Sequence, residues 1–325
     1  MNTKNNVLVI LVLTALFWQV NSHRFEEFQD FVKKFDKIYD ESEFMNRLNI
    51  FSQNFDLIHK HNHASNSTSF QLGIGPFADL TTDEFQTMHL SSLYQPNTQT
   101  KSCNGKINEL PTVPTSMDWR DMNAVTPVKN QGNCGSCWAF STTGAIEGWG
   151  AINTGKLISL SEQELVDCSQ DYGNKGCFGG LMPEAFEFVI DKNGLCNEDS
   201  YPYSASQDSC LKCDPVNSSK ITDCTLVPEG SQTLLIQALS QQPVSVAIQA
   251  NTFQFQHYKS GVFDVDSCYK GSLDHGVLLV GYDSESLIVK NSWGTSWGDN
   301  GYIKLARTDD NIGMCGVYLS ASFPN

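Results

Sequence analysis

Histidine is scarce in this chain: seven in 325 residues, and five of them (His23, His59, His61, His63, His89) precede residue 100. Basic residues are also few. Against 36 Asp and Glu stand 21 Lys and Arg, and the formal charge of −15 argues against a nucleic-acid partner. The same excess suits solubility, or an acidic compartment where carboxylates partly protonate. Long apolar runs are confined to the start. Val7–Val20 is too short for the roughly 20 residues of a membrane span, and no second run of that length follows. With a weakly basic beginning and the small-residue stretch Val20-Asn-Ser22 behind it, this segment reads as a signal peptide over 1–22, leaving no membrane span after its removal.

Cysteine, by contrast, is plentiful. Eleven cysteines imply an oxidising compartment, and secretory entry gives meaning to the sequons Asn66-Ser-Thr68 and Asn217-Ser-Ser219. Cys134–Cys137 and Cys210–Cys213 are both C-x-x-C spacings. A redox site would need a strand ahead of it in a βαβ unit, but Pro127 and Gly132 make that segment loop-like. A zinc site would need its two pairs roughly 12–20 residues apart, and these lie much farther apart. No metal and no cofactor are expected.

Cys137 is placed differently from the others. It ends the run Gln131-Gly-Asn-Cys-Gly-Ser-Cys137 and immediately precedes an apolar, helix-compatible stretch, Trp138–Ala151. A thiol at a helix N-terminus meets roughly half a positive charge, which favours the nucleophilic thiolate. Such a nucleophile needs a base, and the base an orienting group. Downstream of Cys137 only His257 and His275 remain. His275 stands where a turn enters the strand-like run ending at Tyr282, and a second strand-like run, Leu287–Lys290, ends beside Asn291. Antiparallel pairing of the two would bring Asn291 next to His275.

The front of the chain reads as a separate helical module over 23 to about 95. Phe25, Phe28, Phe31, Val32 and Phe35 recur at helical spacing, and Glu43, Arg47, Phe51, Asn54, Ile58 and Asn62 keep one stripe of a second helix. His59, His61 and His63 crowd its end, as a solvated helix end or a pH trigger. From Ser91 to Pro114 the chain is polar and rich in turn formers, a linker suited to cleavage.

Taken in order, these motifs resemble the papain family of cysteine proteases, and within it the cathepsin L group, over residues 23–325. Cys134-Gly-Ser-Cys-Trp138 is a signature of those enzymes, and His275 and Asn291 follow Cys137 by 138 and 154 residues, near the family's range of about 130–150. The stripe on the second helix matches the E-R-F-N-I-N pattern of cathepsin L-type propeptides. Gly73-Ile-Gly-Pro-Phe-Ala-Asp79 matches their second motif, except that Gly75 stands where Asn is expected. The resemblance implies a zymogen cysteine endopeptidase with Cys137 as nucleophile, His275 as base and then acid, Asn291 orienting the imidazole and Gln131 in the oxyanion hole. Trp293 would shield the His–Asn bond. Gly179, Gly180 and Asp274 would bind substrate main chain, and Leu181, Met182, Ala247, Leu273, Gly276 and Ser320 would line a deep apolar S2 pocket preferring bulky hydrophobic P2 residues. No insertion resembling the occluding loop of cathepsin B is present, which favours endopeptidase action.

By family position Cys134 pairs with Cys177, Cys168 with Cys210 and Cys268 with Cys315. Cys196 with Cys213 is the plausible fourth bridge, leaving Cys103 and a Cys224 that is free or irregularly paired. Helices first and strands after Thr222 indicate an α+β fold. The resemblance makes it a papain-like two-lobe fold, with a helical left lobe and a β-barrel-like right lobe, preceded by a helical propeptide. The expected division is signal peptide 1–22, inhibitory propeptide 23–112 running through the cleft opposite to substrate, and protease domain 113–325. Val113-Pro-Thr-Ser-Met-Asp-Trp-Arg120 matches mature family starts. Expected partners are protein or peptide substrates and the chain's own propeptide, with the protein a monomer in a lysosome-like vacuole or outside the cell. A catalytically dead peptide binder and an independent inhibitory life for the propeptide are the rival readings, and the full set of catalytic residues gives no reason to favour either.

Overall fold

Phenylalanines at helical spacing make the front module fold. The computed structural model describes residues 23–64, 69–91, 103–107, 110–266 and 268–325. The signal segment and the Asn66 sequon lie outside the described residues. Residues 23–34 are helical (α1) and Glu41–His63 form α2. Phe28 and Phe31 meet Phe51 with ring centroids 5.3 and 5.1 Å apart, all three buried, whereas Phe25 stays 39% exposed at the rim. The polar members of the α2 stripe fasten the segment from Leu72 to Glu84 onto the helix. Arg47 binds Glu43 and Glu84, Asn54 donates to the Ala78 and Leu80 carbonyls at 2.9 Å, and Asn62 brackets both backbone groups of Leu72. Gly75 has open space around it, so the missing Asn leaves no packing gap; Asp79 secures the turn by accepting from Lys37 and Tyr39.

β1 (Phe70–Leu72) and α3 (Thr82–His89) complete the module, α3 starting from a Thr81–Glu84 capping box. Then come β2 (Met117–Asp118), α4 (Cys137–Thr154), α5 (Glu162–Cys168), α6 (Met182–Lys192), β3 (Cys224–Val227), α7 (Gln232–Leu239) and β4 (Val244–Ile248). The chain ends with α8 (Phe253–Gln256), β5 (Tyr258–Phe263), β6 (His275–Tyr282), β7 (Ser286–Lys290), β8 (Tyr302–Ala306) and β9 (Ala321–Pro324). Ser161 caps α5 through the Glu164 N–H, but the Glu164 carboxylate turns away to the Cys196 N–H, so only half of a capping box forms.

One apolar core lies around α4, α5 and α6, the other within the sheet, giving the two lobes. The sheet path is β1-β5-β8-β7-β6-β4-β9-β3, with β2 added to β6. It is open, ending on β1 and β3, so the second lobe is not a closed barrel among the described residues. The first strand of that path belongs to the front module: β1 extends the sheet by pairing antiparallel with β5. α4 runs between the lobes and lies so close to β6 that a Cβ on Gly144 would fall 2.7 Å from Leu278 Cδ2. Buried charges join the lobes as well. Lys129 contacts Glu147 and Glu162, and Lys290 donates to Thr126, which itself bonds Glu147. Burial pushes Glu162 up to about 8, while the Lys129 ammonium holds Glu147 low despite its own burial.

Disulfides join Cys134 to Cys177, Cys168 to Cys210, Cys196 to Cys213 and Cys268 to Cys315. Cys224, left free or irregularly paired by the sequence reading, is bonded to Cys103, and among the described residues Cys137 alone is free. Asn54→Leu strands the Ala78 carbonyl, at about 1–3 kcal/mol, and leaves the Leu80 carbonyl with Gln256 Nε2 as its donor. An added protease should degrade the front module of this variant about tenfold faster or more than the parent, with the protease domain left intact. An unchanged rate would mean the stripe does not hold the module together.

Candidate active site

α4 begins at Cys137 itself, so the thiol sits on its first turn, where backbone N–H groups lack helical partners. The loop before it is shaped by Tyr203, a residue with no sequence signal. Its hydroxyl donates to the Gln131 carbonyl at 2.8 Å and lies 2.6 Å from Ser136 Oγ. From the other lobe, β6 brings His275 at its first residue, and the N–H of Gly276 points at Cys137 Sγ, 3.3 Å away. β7 pairs antiparallel with β6, and Asn291 follows its last residue. Asn291 Oδ1 lies 2.8 Å from His275 Nε2, and His275 Nδ1 has no hydrogen-bond partner. The Trp293 indole stacks on the imidazole with centroids 4.5 Å apart. Cys137, His275 and Gln131 are fully buried.

The front module covers this site. Ser91 donates its backbone N–H to the Asp274 carbonyl at 2.8 Å, and its Oγ lies 3.6 Å from Cys137 Sγ. Gln131 Nε2 donates to the His89 carbonyl at 3.2 Å as well as to the Cys134 carbonyl, while Ser292 Oγ donates to Gln131 Oε1. The amide proposed to stabilise an oxyanion is thus occupied by a propeptide carbonyl. Phe77 and Phe85 meet Trp293 edge-on with centroids 5.4 and 5.2 Å apart.

Burial reverses the electrostatics expected of a helix-terminal thiol. It raises the Cys137 pKa above its ordinary value although the Gly276 N–H and Ser91 lower it, and it drives His275 down to about 4 against the Asn291 bond. In the covered cleft burial therefore acts on both groups toward their neutral forms, opposing the helix terminus. Asp274 is pushed up to about 7 by burial, even with the Ala250 N–H donating to it.

Around the thiol, Met182, Ala247 and Leu273 share one buried apolar cluster with Cys137, and Leu181 packs on it half-buried. Gly276 lies against the Trp138 backbone; Gly179 is buried; Gly180 and Ser320 are half-buried. His257, the other downstream histidine, is buried with neither ring nitrogen hydrogen-bonded, packed on Phe253, and lowered to about 3 by burial. Glu164, Cys196 and Cys213 cluster at metal-ligand spacing, but both sulfurs are spent in their disulfide.

His89 is the residue that sequence reasoning passed over. It is buried beside Phe77 and Phe85, with Nδ1 3.3 Å from the Gly132 carbonyl. Burial lowers it to about 4, helped by Lys37 and opposed by the Gly132 carbonyl and Asp79. His59 and His63, by contrast, are exposed, and His61 packs on Phe70.

Comparison with known proteins accords with this geometry. The papain family cysteine protease pattern matches residues 113–325, and the cathepsin propeptide inhibitor domain (I29) matches residues 28–85. The chain is 42% identical to "Cysteine proteinase 3" of Dictyostelium discoideum over 98% of its own length and 97% of the relative's. It is 41% identical to "Cathepsin L1" of Drosophila melanogaster over 97% and 90%. The solved structure of "digestive procathepsin L 3 of Tenebrio molitor larval midgut" superposes with a TM-score of 0.84 at 36% identity, covering 93% of this chain and 98% of that one. A recombinant stem bromelain precursor gives the same TM-score, identity and coverage. The chain belongs to the papain family of cysteine proteases, as a cathepsin L-like endopeptidase zymogen that carries its own propeptide inhibitor domain.

Proposed function

We propose that this endopeptidase cleaves peptide bonds with Cys137 as nucleophile and His275 as general base and acid. The observation that carries the assignment is the free thiol at the start of α4, facing a histidine fixed by Asn291 and roofed by Trp293, with a propeptide serine lying on it. When the propeptide leaves and water enters, the desolvation that keeps both groups neutral falls away. The Cys137 proton passes to His275 Nδ1, and Asn291 Oδ1 accepts from the Nε2–H of the imidazolium. The thiolate attacks the scissile carbonyl, and negative charge on its oxygen is met by Gln131 Nε2 and the Cys137 N–H. His275 then gives its proton to the leaving amine. Water, deprotonated by His275, hydrolyses the thioester and frees the thiol.

The pocket formed by Leu181, Met182, Ala247, Leu273, Gly276 and Ser320 is apolar and floored by small residues, which supports a preference for bulky hydrophobic P2 side chains. Gly179, Gly180 and Asp274 supply backbone for the substrate main chain. Processing is read as signal removal after Ser22 and propeptide removal near Val113, with the propeptide lying in the cleft opposite to substrate. Entry to the secretory pathway, glycosylation at Asn217, an acidic vacuole or the extracellular space as destination, and action as a monomer without nucleic acid complete the reading. Asn217 is exposed, as a glycan would require.

Acidifying the purified precursor under reducing conditions tests the mechanism. It should release activity on peptides with Leu or Phe at P2 and far less on those with Arg there. Cys137→Ala should abolish activity; activity surviving it, or equal cleavage after P2 Arg, would overturn the assignments.

His89 supplies the pH dependence. Its pKa is about 4 with the propeptide docked against about 6.5 free, so docking is fully stable above pH 6.5 and loses up to about 3 kcal/mol as pH falls toward 4. His89→Phe should move the midpoint of self-activation to lower pH by about half a unit or more, read from the rate of propeptide loss at graded pH. The triple change of His59, His61 and His63 to Gln should leave the midpoint in place. The opposite pattern would shift the trigger to the end of α2.

A further inference from the structure

The segment beyond the cleft is fastened to the protease domain at several points. Cys103 is disulfide-bonded to Cys224, the first residue of β3. Beside the bridge the Gly105 N–H donates to the Cys224 carbonyl at 2.9 Å, and the Asn104 N–H donates to Asp223 Oδ1 at 3.1 Å. β3 ends the sheet path, so residues 103–107 lie along an otherwise outer edge. The fit is close: a Cβ on Gly105 would collide with the Asn325 side chain, Thr225 Oγ1 and the Cys224 carbonyl. Ile107 packs half-buried on the sheet core, and Cys103 on the core of the helical lobe. A segment that only spanned the gap between inhibitor and enzyme would need none of these attachments.

We infer that the Cys103–Cys224 disulfide keeps the propeptide attached to the enzyme after backbone cleavage near Val113, so that its release takes a second event. This rests on the mature start proposed above. Cys103 lies on the propeptide side of that cut and Cys224 on the enzyme side, so hydrolysis there leaves two chains joined through sulfur. An inhibitor held by a short linker stays at about millimolar local concentration, and His89 and Ser91 re-enter the cleft instead of diffusing away. Two second events free it. A cut on the N-terminal side of Cys103 releases the inhibitor and leaves residues 103–112 as a short second chain, of which 103–107 cover the β3 edge, a protected edge in place of an open one. Alternatively, a small thiol reductant attacks one sulfur as its thiolate, forming a mixed disulfide that a second reductant thiol resolves. Two electrons and two protons convert the bridge into the thiols of Cys103 and Cys224, and the reductant leaves as its own disulfide.

The full-length Cys137→Ala precursor, which cannot process itself, tests the tether once a site-specific protease sequence is inserted after Leu110. After that cut, a denaturing gel without reductant should show the propeptide still joined to the protease domain, and dithiothreitol should separate them. In the C103S/C224S variant the two fragments should separate on the gel without reductant. Under native conditions at acidic pH the parent should elute as one species, while the variant loses its propeptide. Separation of the parent's fragments without reductant would overturn the inference. N-terminal sequencing of self-activated wild-type protein, unreduced, reads the natural cut independently. A start near Val113 accompanied by a second sequence from the Cys103 peptide supports two-event release. A single chain beginning before Cys103 would overturn the mature start and two-event release with it, while leaving the bridge itself to the gel.

Discussion

A thiol on one lobe and an imidazole on the other must meet at one point, and the interface between the lobes is built to hold that point still. Cys137 opens α4, and α4 lies close against β6, where a Cβ on Gly276 would come within 3.1 Å of the Trp138 backbone. The strand pairing of β6 with β7 then fixes His275 and Asn291 relative to each other, and the Gly276 N–H reaches the sulfur from the opposite lobe. The buried Lys129–Glu147–Glu162 group and Lys290 add charge pairing across the same boundary. Pulling any one member away would leave uncompensated charge in the interior.

The propeptide packs against that site. It extends the sheet through β1, packs Phe77 and Phe85 on the indole that roofs the imidazole, and lays the His89 carbonyl and Ser91 along the cleft. Its main electrostatic effect is exclusion of water. With the site covered, burial raises the thiol and lowers the imidazole, so the charged pair needed for attack is disfavoured. On the proposed mechanism inhibition has two components, occupation of the cleft and suppression of the charged Cys137–His275 pair, with His89 as the proposed acid-sensitive element.

Much of this was legible in the sequence because it is carried by short-range patterns. A cysteine before an apolar helical stretch, a histidine and an asparagine on consecutive strands, and an α2 stripe with polar members at helical spacing are all local signals. β4 and β8 fall in the part after Thr222 where strands are expected. The illegible parts depend on contacts far apart in the chain. Cys103 and Cys224 are separated by 121 residues, and no spacing rule identifies a bond that depends on which sheet edge the linker crosses. His89 looks like any histidine at a helix end until Phe77, Phe85 and the Gly132 loop close over it. α7 and α8 are short helices inside a strand-rich stretch, and their periodicity spans too few residues to register. Sequence shows the helix terminus beside the thiol, whereas the desolvation imposed by the covering module depends on the fold.

The central claim is that covering the cleft silences the thiol by keeping it protonated, and the most direct test is the pH profile of Cys137 alkylation by a small haloacetamide, before and after propeptide removal. The reaction rate follows the thiolate fraction. In the intact precursor between pH 6 and 9 the rate should be low and climb with pH, and after propeptide removal it should be high and nearly flat, exceeding the precursor's by at least about a hundredfold at pH 6. A precursor that alkylates as fast as the freed enzyme across that range would contradict the account.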